Sequence, residues 1–434
     1  MAQLLIIADD FTGALDTAVQ FAAYGEDIRV LTGPDADLTV ARDCRVLVVD
    51  AETRHLPPQG AYRSVARIVE QAVALSIPYI YKKTDSALRG NIGAELTALL
   101  DVSGRRQLPF LPAFPQIGRI TRGGVQYIGG TPVANSVFGQ DPFEPVQHST
   151  VASLIAAQSR VPVHNCSLSA GDDPLPDEEG ITVFDAVTTG DLERIGRRLL
   201  ERGRLHIMAG CAGFGAVLPE LLGLTGHRSA DLPRLDPRLL VICGSVNPIT
   251  IAQLDRAETE GFLRVRLTPE QKLDTDYWLT PQGSAEFDVM GKLLEKYPYR
   301  IIETNDAGGN RPTAEYAAAK GMTMDDVRLG IAQSVGYMVS RLFPSPALGT
   351  LLVTGGDTLL QCMDYMGVHE LQPLCELEPG VVLSRFTYQG FTRYIISKSG
   401  GFGEAGLIPS LAAKLARTQE RETLKEVYSY AESL

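Results

Sequence analysis

Tyr79 to Leu100 reads YIYKKTDSALRGNIGAELTALL. Its first residues have the apolar run of a buried strand, and from about Asn91 the apolar residues recur at helical spacing. Lys82, Lys83, Asp85, Ser86, Arg89 and Asn91 crowd the short connection between the two. Gly90 permits a sharp turn there, and Asn91 suits a helix N-cap. The neighbouring sequence repeats this strand–junction–helix unit. LLIIA leads to a helix near Gly13–Tyr24, ended by Gly25. IRVLTG and RVLVVD follow, then a helix near Tyr62–Ser76. Strands apolar on both faces and separated by helices predict an α/β protein with a mostly parallel sheet covered on both sides.

Farther along, FLPAFPQIGRITRGGVQYIGGTPV (110–133) breaks the rhythm with glycine, proline and alternating residues, as a hairpin insertion near an edge or over a cleft would. DEEGITVFDAVTTGDLERIGRRLLERG and LHIMAGCAGFGAVLPELL return to strand–helix form. TGHRSADLPRLDPR, Thr225 to Arg238, is polar and aperiodic and reads as a linker. Beyond it the strand–helix units resume. A chain of 434 residues is long for one core, so two domains are expected, 1–228 and 229–434, each a mostly parallel sheet flanked by helices.

Composition narrows the function. An apolar content of 44% with 21% charged residues describes a soluble globular chain. A formal charge of −12 argues against a nucleic-acid partner, whose phosphates select basic faces, but not against a small anion bound by a local cluster. No window approaches the roughly 20 apolar residues of a membrane helix, and the start lacks a basic region before its short apolar run. A cytoplasmic protein without a membrane partner is expected. The six cysteines form no C-x-x-C pair and the six histidines no ligand spacing, so no structural metal site is expected.

Chemistry gathers at the ends of the expected strands, where parallel α/β sheets bind ligands. Asp9 and Asp10 end the first strand; they suit hydroxyl protons or Mg²⁺, although Asp10 or Thr12 suits a plain helix cap equally well. Arg54 follows the strand ending at Asp50 and can fork onto a carboxylate. Alternation along a strand puts Lys82 and Thr84 on one face, Lys83 and Asp85 on the other. A doubly covered sheet cannot bury two unpaired lysines in mid-strand, so both belong at its open end. With Asp9, Arg54, Arg89 and Asn91 near them, these residues combine cations for a carboxylate with acceptors for hydroxyls. That is the chemistry of a polyhydroxy-acid site.

In the back half, CGSVNP (Gly244, Ser245), TGGDT (Gly355, Gly356, Asp357, Thr358) and KSGGFG (Gly400, Gly401, Gly403) share one design of strand, small residues and helix. Such turns bring backbone N–H groups and helix N-termini to phosphate. GFGEAG (401–406) matches G-x-G-x-x-G, yet no second strand with an acidic residue follows it, so a dehydrogenase reading is rejected. No P-loop pattern occurs. The glycines of GCAGFGAVL (Gly210, Gly213, Gly215) fit either a crevice wall or tight strand–helix packing.

In order, ADDFTGALD, ETRH, KKTDSALRGNIGAEL, PAFPQIGR, CGS, VTGGDT and SKSGGFG resemble the four-carbon acid sugar kinase family over nearly the whole chain. The resemblance implies an N-terminal sugar-acid domain, a C-terminal ATP domain and an active site in the interdomain cleft. It implies phosphoryl transfer to the C4 hydroxyl of threonate, erythronate or a 3-oxo-tetronate, with Mg²⁺ carried by the ATP. Substrate contacts carry over to Asp9, Arg54, Lys82, Lys83, Thr84 and Asp85, with Asp10, Arg89 and Asn91 beside them. ATP contacts fall on Ser245, Gly355, Gly356, Asp357, Thr358, Gly400 and Gly401. Asp9 and Asp85 lead as catalytic carboxylates, with Asp10 also qualifying as base. Two departures are conservative: Ala87 where the family often has threonine, and Asp357 where it often has glutamate. The segment GQDPFEPVQHSTVASLIAAQ resembles the threonate and erythronate members, which favours D-threonate. A homodimer is left open, and a non-catalytic sugar-acid sensor is the competing class.

Overall fold

The structure, a computed structural model, describes residues 1–33, 35–140, 145–167, 174–225, 233–345 and 348–417. The chain divides into two compact units, Met1–Ala230 and Asp231–Leu434. Of the expected linker, 226–232 lie outside the described residues, as does the 228/229 boundary.

The front unit is built on strands β1 (Leu4–Ala8), β2 (Ile28–Thr32), β3 (Val46–Asp50), β4 (Tyr79–Lys83) and β5 (Gln107–Leu111). Helices α1 (Phe11–Ala22), α2 (Pro58–Ala74) and α3 (Ile92–Ser103) alternate with them. The expected insertion is an antiparallel meander of β6 (Arg119–Arg122), β7 (Val125–Ile128) and β8 (Thr131–Pro132). It is tied to the far edge of the unit by the Asp185 carboxylate, which accepts the Gly123 and Gly124 N–H groups at 2.7 and 2.9 Å. After α4 (Val151–Ala156), β9 (Val163–Cys166), β10 (Gly180–Phe184), α5 (Thr189–Glu201), β11 (Ile207–Gly210), α6 (Ala212–Gly215) and α7 (Leu218–Leu221) complete the unit. Its strands run in the order β9-β10-β5-β11-β4-β1-β3-β2, all parallel. Wholly buried Leu5, Leu47 and Phe110 lie in its core, which is why these strands read as unbroken apolar runs.

The back unit holds β12 (Leu239–Cys243), α8 (Pro248–Thr259), β13 (Leu263–Arg266), α9 (Pro269–Leu273), α10 (Pro281–Glu295) and β14 (Tyr299–Glu303). It continues with α11 (Arg311–Ala319), α12 (Met324–Leu342), β15 (Thr350–Thr354) and α13 (Gly356–Tyr365). Strands β16 (Glu370–Glu378), β17 (Val381–Tyr388) and β18 (Phe391–Lys398) follow, then a helix over 407–417. Here β13-β14-β12-β15-β18 is parallel, and β17 and β16 extend it antiparallel. Leu239, Val241, Leu352, Leu383 and Ile396 form its own core. Both units are therefore α/β, mostly parallel and flanked by helices.

Helix starts follow local chemistry. Asp10 caps α1, accepting the Gly13 N–H at 3.0 Å, and Thr188 and Thr323 form capping boxes with Asp191 and Asp326 at the starts of α5 and α12. All six cysteines are free.

Candidate active site

The front cluster forms at the carboxyl ends of β1, β3 and β4. Parallel register sets Ala8 beside both Asp50 and Lys83, so the residues that follow each strand emerge together. Arg54 donates from Nε and Nη2 to Asp9 Oδ2, at 2.9 and 2.7 Å, and from Nη1 to Asp10 Oδ2 at 2.8 Å. The guanidinium expected to fork onto a ligand thus forks onto two aspartates of the chain. Three charge-assisted bonds make this the rigid floor of the cluster.

Asp85 is held by Arg89, whose Nε donates to Oδ2 at 2.8 Å and whose Nη2 donates to Oδ1 at 3.3 Å. Burial acts to raise the Asp85 pKa, but the Arg89 and Arg54 guanidiniums overcome it and hold the carboxyl far below the usual range. Asp9 is likewise lowered against its burial, by Arg54, Lys83 and Lys82. Both are therefore ionised acceptors at neutral pH. They differ in what remains free: Asp9 Oδ1 is buried and accepts no hydrogen bond, while both Asp85 oxygens are engaged.

The two lysines point to opposite faces, as strand alternation requires, but only one suits a ligand. Lys82, 0% exposed, turns toward α3 and pairs with Glu95 at 3.1 Å, while also donating to the Lys83 carbonyl at 2.8 Å. Lys82, expected as a substrate contact, thus stands in a buried ion pair. Glu95 escapes the sequence reading because an acidic residue in a helix's first turn is ordinary. Lys83, 5% exposed, turns toward α1, where a Cβ on Gly13 would lie 2.6 Å from its Nζ. Among the described residues its ammonium has no carboxylate within ion-pair distance and no hydrogen-bond acceptor.

Two further expected contacts serve the scaffold. The Thr84 hydroxyl donates to the Gly210 carbonyl at 3.3 Å. Asn91 stands at the N-cap of α3, yet its side chain does not cap the helix. It instead clamps the loop after β3, donating to the Thr53 and Leu56 carbonyls at 2.8 and 2.7 Å. Gly90 adopts φ +85°, as the sharp turn demanded. Arg119 and Phe138 join the cluster unannounced: the Phe138 ring lies 5.2 and 4.9 Å from the Arg89 and Arg119 guanidinium carbons. PAFPQIGR, ending in Arg119, was the available signal. The glycines of GCAGFGAVL lie against the Leu111 and Ala113 carbonyls and Thr17, which is tight packing.

In the back unit the three glycine turns converge on Ser245. A Cβ on Gly400 would come within 2.8 Å of Ser245 Oγ, so the turn after β18 abuts the turn after β12. Thr358 Oγ1 packs against Gly244 and lies 3.2 Å from where a Gly355 Cβ would stand. Gly355 itself, at φ +107°, caps α13 in a backbone state that L side chains rarely adopt. Gly356 opens α13. Asp357 is partly exposed and accepts from Arg328 Nη1 at 3.0 Å. Asn305, after β14, donates to the Ser245 carbonyl at 3.0 Å and was missed, because one asparagine after a strand carries no signal. Two helix N-termini, small residues and the Ser245 and Thr358 hydroxyls fit a nucleotide's phosphates. Among the described residues no group of three or more His, Cys, Asp or Glu side chains stands together as a metal site.

Comparison with known proteins finds a family match in each half of the chain. The sugar-binding N-terminal domain family matches residues 4–218, and the nucleotide-binding C-terminal domain family matches residues 240–408. D-threonate kinase of Salmonella typhimurium is 30% identical over 420 residues, covering 92% of this chain and 95% of that protein. D-erythronate kinase of Heliobacterium modesticaldum is 26% identical over 422 residues, covering 92% and 94%. A crystal structure from Salmonella typhimurium LT2 shares the fold with a TM-score of 0.75 at 19% identity, over 94% of this chain and 98% of that one. This chain belongs to the four-carbon acid sugar kinase family, a class of phosphotransferases.

Proposed function

We propose that this protein transfers the γ-phosphoryl group of ATP to the C4 hydroxyl of a four-carbon sugar acid, D-threonate ahead of D-erythronate or a 3-oxo-tetronate. The observation that carries the reading is Lys83: a buried ammonium without a carboxylate partner among the described residues, beside an aspartate with an unused oxygen. A hydroxy acid supplies what both lack, a carboxylate for the cation and a hydroxyl donor for Asp9 Oδ1. The preference for D-threonate rests on likeness to relatives, and the segment behind it includes 141–144, outside the described residues.

In this reading Mg·ATP supplies the transferable phosphoryl group, and the front unit supplies position. Lys83 neutralises the acid's carboxylate. Arg54, fastened to Asp9 and Asp10, keeps their geometry fixed and lends positive potential. Asp9 Oδ1 accepts the hydroxyl proton as the O–P bond forms and the bond to the ADP oxygen breaks. A carboxylate of lowered pKa is a weak base, which suits a loose transfer in which the proton leaves late. Asp85 fixes the Arg89 guanidinium through both its oxygens, so its role is positioning. Gly355, Gly356, Thr358, Ser245, Gly400 and Gly401 would receive the phosphates, while Asp357 braces α13 through Arg328.

The test is a coupled ADP-release assay with Mg·ATP against D- and L-threonate, D- and L-erythronate and 3-oxo-tetronates. Turnover is expected with D-threonate foremost. Silence across the panel, with ADP binding intact, would overturn the four-carbon assignment. ADP binding without turnover, together with tight acid binding, would favour the sensor.

A further inference from the structure

Four lysines are buried among the described residues: Lys82, Lys83, Lys272 and Lys398. An ammonium taken from water needs a counter-charge, and two have one in the protein. Lys82 pairs with Glu95 at 3.1 Å and Lys272 with Asp306 at 2.5 Å. Lys83 and Lys398 have no carboxylate within ion-pair distance among the described residues. Each unit thus holds one paired and one unpaired buried lysine, and the unpaired one stands where its strand meets the candidate site. Lys83 is already part of the acid half-site; Lys398 has no role so far.

Lys398 ends β18, directly before Ser399, Gly400 and Gly401, and is 2% exposed. Its Nζ donates to the Ser399 carbonyl at 2.8 Å and to Thr250 Oγ1 on α8 at 3.3 Å. Thr250 Oγ1 in turn donates to the Gly400 carbonyl at 2.7 Å. The ammonium therefore supports the glycine turn from beneath and joins it to the first turn of α8. Its strand neighbours supply no negative charge. In register it stands beside Thr354 on β15 and Val381 on β17, and Thr354 stands beside Cys243 on β12. The Thr354 hydroxyl is itself buried with no partner. The Cys243 thiol is pushed up by burial to about 12 and stays neutral.

We infer that Lys398 is the buried cation of the nucleotide half-site, a positioning residue that holds the Ser399–Gly401 turn and whose charge is balanced by the phosphates of bound nucleotide. The inference rests on the kinase reading and assigns that site its electrostatic centre. Burial lowers the Lys398 pKa to about 8. A nearby phosphate favours the charged form and raises that value. Nucleotide binding should therefore take up protons near pH 8, and affinity should fall as pH rises through that region. A cation present only to hold the fold would show neither effect.

The experiment is calorimetric titration of the full-length protein with Mg·ADP near pH 8, in buffers of different ionisation heat, for wild type and Lys398→Met. Wild type is expected to take up protons. The Met variant is expected to take up none and to bind ADP on the order of ten- to a hundredfold more weakly. Unchanged ADP affinity in the variant, or binding by wild type without proton uptake, would overturn the inference. Should the variant fail to fold, the wild-type proton balance decides alone. Wild type that binds no adenine nucleotide would instead overturn the kinase reading itself.

Discussion

Lys82 and Lys83 are adjacent cations on one strand with opposite consequences. Lys82→Met would leave Glu95 buried without its partner, and unfolding free energy should fall by about 3–5 kcal/mol. Lys83→Met removes an unpaired charge; stability should hold while kcat/KM for the sugar acid drops about a hundredfold, with ADP affinity unchanged. Urea melts and steady-state kinetics on the two variants would separate them, and equal behaviour would refute the division of labour. Asp50 offers a test by pH. Burial first, then Glu52 and Asp10, raise its pKa well above the usual carboxylate value, and its Oδ2 has no partner. The folded state thus retains a proton that the unfolded chain releases above about pH 4, so this group lowers stability as pH rises through that interval. Asp50→Asn should raise the thermal midpoint at pH 8 and leave it little changed near pH 4. A scanning fluorimetry series would show this, and an equal shift at both pH values would point to packing instead.

Elements place these residues, and their edges were the legible part. Strand β4, the turn at Gly90 and helix α3 appear where apolar spacing put them, and the C-terminal strand ends were readable as the site because parallel sheets leave that edge open. The β17–β18 hairpin was not read, although Gln389 and Gly390, both with positive φ, form the short turn that marks one. Reading β18 as an ordinary strand–helix unit hid the antiparallel extension. At the start of α13, Gly355→Ala would force a side chain into φ +107° and toward Thr358 Oγ1. A loss of about 1–3 kcal/mol with weaker ADP binding is expected by thermal melt and calorimetry. No change in either would remove this turn from the nucleotide half-site.

Over the whole molecule, each unit has a core of its own, and the one tryptophan reports on the back unit. Trp278 is buried and donates from Nε1 to Ser334 Oγ at 2.8 Å. ADP at about a hundred times its Kd should stabilise the unit that binds it by about 2.7 kcal/mol, raising the fluorescence-detected midpoint by about 5–10 °C. An unmoved midpoint at saturating ADP would place the nucleotide elsewhere. Sequence alone determined the α/β class, the strand ends that carry chemistry and the opposite facing of Lys82 and Lys83, because these depend on periodicity and local turn residues. Tertiary structure alone decided which cation is free. Glu95 reaches Lys82 from another element, Asp9 and Asp10 occupy Arg54 across neighbouring strands, and among the described residues no carboxylate comes within ion-pair distance of Lys83 or Lys398. Whether a buried charge is paired depends on side chains distant in sequence, and their approach exists only once the sheet and its helices have packed.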